Sequence, residues 1–209
     1  MAIASLSNFT VPLASDQSAS SQGMLMPKLK YRFRISFENF GVSGSTTELT
    51  KQVSEAVRPS VSFANTVIDV YNSKINYAGK YTWEPITVKL RDDSTNAVTT
   101  LVGEQVQKQF DFFEQSSAAS GLDYKFTMRI EMLDGGNGST TPTSLEVWEC
   151  YGCYAEKTNY NDIKYSEAGA AMIDLTIRFD NAIQTTPSKG LGAAQTVQKF
   201  PGGTSILGS

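Results

Sequence analysis

The sequence predicts a mainly β, antiparallel domain with one helix, and three observations carry that reading. Residues 28–37 alternate: Leu29, Tyr31, Phe33, Ile35 and Phe37 share one face, while Lys28, Lys30, Arg32, Arg34 and Ser36 share the other. Residues 123–132 repeat the pattern, with Tyr124, Phe126, Met128, Ile130 and Met132 inward and Lys125, Thr127, Arg129 and Glu131 outward. A period of two marks a strand half-buried on a sheet. One stretch has helical spacing instead, where Val98, Leu101, Val102, Val106, Phe110 and Phe113 recur three or four residues apart.

The remaining elements follow in order. Residues 1–27 are rich in Ser and Ala without periodicity, and read as an extended N-terminal arm that orders only where something covers it. After the 28–37 strand comes a Gly/Ser/Thr loop over 41–47. Residues 49–56 read as a short strand, interrupted by Arg58-Pro59 because Pro cannot donate to a ladder. Residues 61–79 read as a long β excursion, partly hairpin, and 81–90 as a strand with Pro85 at an edge or bulge. Asp92 and Asp93 lie in the next turn and read as a solvated or helix-start pair rather than a metal site, which needs several converging oxygens. The helix is expected near 97–118, with Asn96 as N-cap and Ser120-Gly121 at its end. Its aromatic stripe reads as a face packed on a sheet.

The loop over 134–139 has a Gly-Gly-x-Gly look, but no Lys-Ser/Thr and no helix follow, so a phosphate-binding loop is excluded. Residues 144–155 and 171–179 read as strands, the latter with Ile173, Leu175, Ile177 and Phe179 on one face. Residues 183–209 form a Gly/Thr/Ser-rich C-terminal tail, leaving a β core over 28–182.

Composition narrows function by exclusion. With 209 residues, of which 40% are hydrophobic, the chain can bury a core as one domain with extensions. Charged residues make up 19% and the net charge is −3, which argues against a protein that neutralises phosphates with surplus Lys and Arg. There is no histidine, so the commonest general base and metal ligand are missing, and no Ser-His-Asp or Cys-His system can be built. Cys150 and Cys153 form a Cys-x-x-Cys. Zinc needs about four ligands and no second pair exists. The flanks read as strand rather than a helix N-terminus, and strand positions three apart point to opposite faces, so two ordinary strand cysteines are expected. No catalytic residue, metal site or cofactor can be nominated. No apolar run reaches the roughly 18–20 residues that span a bilayer, and residues 1–16 lack the features of a signal peptide. The expectation is a chain that does not insert in a membrane and folds in a cytoplasm.

Apolar arms and open strand edges both call for partner surfaces, which points to a structural protein that self-assembles. A resemblance sharpens this. It rests on Arg58-Pro59-Ser60, Val67-Ile68-Asp69-Val70, Asn76-Tyr77-Ala78-Gly79-Lys80, Trp83-Glu84-Pro85-Ile86-Thr87-Val88 and Arg91-Asp92-Asp93. Leu145-Glu146-Val147-Trp148-Glu149-Cys150-Tyr151-Gly152 and Ala171-Met172-Ile173-Asp174-Leu175-Thr176-Ile177-Arg178-Phe179-Asp180 match a closing pair of strands. Together these segments resemble the tail tube proteins of contractile-tailed, myovirus-type bacteriophages, relatives of type VI secretion and pyocin tubes. The resemblance covers most of the core and neither tail.

It implies an antiparallel β-sandwich or partial barrel with one flanking α-helix. It also implies homohexameric rings stacked into a hollow tube inside a virion, assembled in the host cytoplasm. Implied partners are the chain itself, tail sheath subunits, baseplate and tail-terminator proteins, with tape-measure protein and genome DNA transiently in the lumen. By position, the excursion corresponds to an inter-ring stacking segment that includes Val67, Asp69, Tyr71, Asn72, Lys74 and Asn76. The basic face of Lys30, Arg32 and Arg34 sits poorly in a pore through which DNA slides. Either neighbouring acids pair it, or it meets another subunit; the second is carried forward. Other readings are a pyocin or type VI-like tube, a fibre-like carbohydrate-binding sandwich using Trp83, Trp148 and Tyr151, and a Cys150/Cys153 redox protein.

Overall fold

A computed structural model describes residues 5–10, 23–25, 27–42, 45–136, 141–166, 168–186 and 190–192; for 5–10 and 23–25 it describes the backbone alone. The elements in order are β1 (Ser5–Thr10), β2 (Gly23–Leu25), β3 (Phe33–Glu38), α1 (Thr47–Gln52), β4 (Val53–Ala56), β5 (Val61–Val70), β6 (Ser73–Trp83) and β7 (Ile86–Arg91). Then come α2 (Ala97–Gln109), β8 (Phe110–Asp111), β9 (Ser116–Ser117), α3 (Gly121–Tyr124), β10 (Phe126–Leu133), β11 (Ser144–Asn159), β12 (Met172–Arg178) and β13 (Asn181–Thr186). All strand pairs are antiparallel.

The architecture is two sheets that share one strand. The first half of β11 lies between β10 and β13, and β10 in turn pairs with β3. The second half of β11 starts a sheet of order β11–β12–β7–β4. The switch falls at Gly152, whose φ of +66° is a left-handed conformation that glycine adopts freely, and a Cβ there would run into the Asp180 carboxylate. Strands that change sheets at a bulge make the corners of sandwiches and partial barrels. No ladder joins β3 to β4, so among the described residues the barrel is open along that seam.

The inward faces of β3, β7, β10, β11 and β12 build a core of Ile35, Phe37, Val88, Leu90, Phe126, Met128, Ile130, Ile173, Leu175 and Ile177. The α2 residues Val98, Leu101 and Val102 join it. The expected alternation therefore holds for the centre of each strand. Its ends differ: β3 begins at Phe33, and Tyr31 is exposed because residues 30–31 form a turn.

The helix is shorter than 97–118. At Phe110 the backbone turns extended, and the aromatic run Phe110-Asp111-Phe112-Phe113 forms the small β8–β9 hairpin instead of a fourth helical turn. The Asp111 carboxylate accepts from the Phe113 and Glu114 N–H groups at 2.9 and 3.2 Å, an alternative to helical pairing. Asn96 occupies the N-cap in a left-handed conformation but makes no side-chain cap; Asp93 accepts from Val98 N–H at 3.2 Å in its place. Asp92 accepts from the Thr99 hydroxyl at 2.8 Å, so both acids serve the helix start. Ser120-Gly121, expected as a helix end, opens α3 with a Ser120–Asp123 capping box.

Three further differences are local. Residues 49–56 divide into α1 and β4 rather than one strand. Glu84-Pro85 separates β6 from β7, where one strand over 81–90 was expected. The core continues past residue 182, because β13 pairs with β11 as far as Thr186. The expectations for the rest of 183–209 lie outside the described residues apart from 190–192, and those for the arm lie outside them apart from the β1–β2 pair and residue 27.

Candidate functional site

The most prominent surface feature is the β5–β6 hairpin. It forms a two-stranded sheet of its own, and nearly all of its side chains are exposed. Tyr71 and Asn72 form its turn, with Tyr71 at φ +42° and 100% exposed. The hairpin is anchored at its base by Trp83, which is buried and packs on Phe179 with ring centroids 5.5 Å apart.

Register shows that the hairpin is amphipathic. Ile68 lies opposite Ile75, Thr66 opposite Tyr77, Phe63 opposite Tyr81 and Val61 opposite Trp83. The shift places one extra residue on β6, so Thr66–Tyr77 and Ile68–Ile75, with Val70 beyond them, form an apolar face on one side of the outer hairpin, while Phe63–Tyr81 and Val61–Trp83 fall on the other side near its base. The other side pairs Val67 with Asn76 and Asp69 with Lys74, whose charged groups are 3.5 Å apart, and Asn65 donates to Asn76 at 3.2 Å.

Of the expected stacking residues, Val67, Asp69, Lys74 and Asn76 thus share the mostly polar face, while Tyr71 and Asn72 form the tip. The apolar face of Ile68, Val70, Ile75 and Tyr77 was missed. Its signal was present in the alternation of Ile68 and Val70 on one strand and of Ile75 and Tyr77 on the other.

The basic face of β3 acquires partners within the chain. Arg34 Nε lies 2.5 Å from Glu131, which also meets Arg129 at 3.2 Å and accepts from the Ser144 hydroxyl at 3.2 Å. Arg32 donates to the Asp134 carbonyl at 2.8 Å. Lys28 pairs with Glu146, which also meets Arg58 at 3.4 Å and accepts from the Trp148 indole at 2.6 Å. Lys30 has no acidic partner among the described residues. Glu131 is buried although its alternation pointed outward, because two guanidinium groups cover it. Burial alone would raise the Glu146 carboxyl, but Lys28, Trp148 and Arg58 outweigh it and hold the group below its ordinary value.

Cys150 and Cys153 are both fully buried on the core side. The bulge at Gly152 makes Phe126 and Met128, two apart, face Cys153 and Cys150, three apart, and so overturns the expectation of opposite faces. The Cys153 thiol donates to the Cys150 carbonyl at 3.3 Å. Burial pushes the Cys150 thiol far up and the Cys153 thiol to about 12, so neither is a nucleophile at neutral pH. The three aromatics considered for sugar stacking do not form a platform. Trp83 is buried, Trp148 packs against the core, and the Tyr151 hydroxyl donates to Glu149 at 2.6 Å.

A doubly layered β domain with an open seam, one principal helix and a projecting hairpin is a fold shared with components of contractile injection systems. One such structure is a sheath/tube terminator of the extracellular contractile injection system PVC in the extended state. It matches at a TM-score of 0.56 with 12% identity, covering 76% of this chain and 96% of that chain. The tube-terminating cap of the anti-feeding prophage matches at 0.56 with 13% identity, over 83% and 98%. The PVC sheath-tube complex in the extended state matches at 0.53 with 12% identity, over 76% and 90%. No protein-family model and no curated protein matches the sequence.

Proposed function

We propose that this chain is a non-enzymatic structural subunit that forms hexameric rings, which stack into the hollow inner tail tube of a contractile bacteriophage. The tube is the conduit for genome DNA during infection. It is built in the host cytoplasm and lies within the virion. Sheath, baseplate, terminator and tape-measure proteins are its further partners. The observation that carries this reading is the β5–β6 hairpin. Its apolar outer face is exposed, with no cover among the described residues, on a fold shared with tube assemblies. Apolar surface of this kind is retained where a partner buries it, and here the partner is a second copy.

Negative-stain microscopy of the purified chain tests the proposal. Stacked rings with sixfold symmetry or hollow rods are the expected result, and a monodisperse monomer at high concentration overturns it. A second reading, a tube or terminator of an extracellular contractile injection system, is favoured by the terminator and cap proteins that share the fold. Native particles that lack nuclease-protected DNA would select it.

A further inference from the structure

We infer that neighbouring copies join head to tail by inserting the aromatic β8–β9 tip of one into the groove between β3 and β4 of the next. This contact rests on the ring-forming reading above.

The tip is a built projection. Phe113 is 95% exposed and Phe112 is 63% exposed. Phe110 and Phe112 pack edge to face at 5.4 Å, and the Asp111 carboxylate ties the turn by accepting from two successive N–H groups. A tip already ordered loses little freedom on docking. It carries the acids Asp111 and Glu114 and no basic residue.

The groove has the opposite character. It occupies the open seam of the barrel, with a volume of about 990 Å³. Phe33, Val53 and Val57 are among its apolar walls, and Lys30, Lys51 and Arg91 among its cations. Lys51 is paired with Glu48 at 2.6 Å, whereas Lys30 and Arg91 have no acidic partner among the described residues. An acidic aromatic tip therefore complements it in both shape class and charge.

Topology makes the contact intermolecular. Gln109, the last residue of α2, exchanges two hydrogen bonds of 2.9 Å with the Ala155 backbone and so fixes the tip beside the second half of β11. The groove lies beyond β4. These are opposite edges of the sheet β11–β12–β7–β4, three strand spacings or roughly 14 Å apart. A tip that cannot fill its own groove fills a neighbour's, and a heterologous contact of this kind closes into a ring when the rotation permits.

The test is a Phe113→Cys, Val57→Cys double variant, mildly oxidised and run on a denaturing non-reducing gel. The buried native thiols do not interfere. A ladder of covalent multimers up to the ring size is expected, with none beyond a dimer from either single variant. Assembled rings that run as monomer would overturn this contact and leave the tube reading intact. Should the unmodified chain form no rings, the tube reading falls and this contact with it. A charge exchange guards against misfolding of the cysteine variant. Glu114→Lys or Lys30→Glu alone should raise the concentration needed for assembly about tenfold, and the two together should restore it. Unchanged assembly in both single variants overturns the proposal.

Discussion

Glu146 shows how one buried carboxylate organises the seam side of the molecule. It gathers Lys28, Arg58 and the Trp148 indole, so its folded-state pKa lies below its unfolded value. A depressed carboxylate contributes stability that is fully present above its ordinary value of 4.5 and is lost as pH falls through the folded value. Glu146→Gln should therefore cost about 1–2 kcal/mol at pH 7, the lower range because its cations are partly solvated. The difference from the unmodified chain should shrink steadily below pH 4.5, as read by urea denaturation across pH. An equal cost at pH 7 and pH 3 would contradict this account. At this scale the sequence was only half legible. The alternation of Arg34 and Ile35 was visible, because period two needs no partner to be read. The burial of Glu131 was not, because it depends on Arg34 and Arg129 arriving from different strands. Nor was the orientation of Cys153, since one left-handed glycine resets the faces.

Among the elements, the β5–β6 hairpin separates assembly from folding most cleanly. Its outer pairs contribute little to the core, so changing them should leave the domain standing. Ile68→Ser with Ile75→Ser should shift stability by no more than about 0.5 kcal/mol per site, the usual range for surface positions. Tube length by microscopy should collapse to single rings or short stacks. A large fall in thermal midpoint would instead show that the hairpin supports its own domain. The hairpin was legible as an excursion from its β-rich composition. Its sidedness was only partly so, because the extra residue on β6 between Ala78 and Tyr81 flips the faces between base and tip. The helix was legible to Gln109, where Val98, Leu101 and Val102 pack on the sheet. Beyond that point the spacing of Phe110 and Phe113 imitated a helical face, while the Asp111 turn won locally.

For the molecule as a whole, a barrel open at one seam and a hairpin with no cover among the described residues fit the proposed completion of the fold by association. Anything that binds only the folded state stabilises it by mass action. The thermal midpoint of this chain should therefore rise with protein concentration, and the rise should be smaller in the Ile68→Ser, Ile75→Ser variant, in which rings form but stacking is lost. Calorimetry at concentrations a hundredfold apart would show it; a constant midpoint would argue that the monomer is self-sufficient. The mainly β, antiparallel class was readable from the alternating strands, and the two-sheet sandwich came only from the resemblance. The shared strand β11 was not, because sequence shows a strand's length without showing which half serves which sheet.

The Gln109 side chain has a consequence for the time before assembly. A solitary subunit awaiting its partners presents the second half of β11 as a bare strand margin, the kind of template on which ribbons and fibrils grow. The Gln109 amide imitates a peptide group there and occupies both the donor and the acceptor of Ala155. The margin is thus capped at Ala155 by the subunit itself, and on the proposed assembly reading this discourages disordered edge pairing of free chains and leaves growth to the tip and the hairpin.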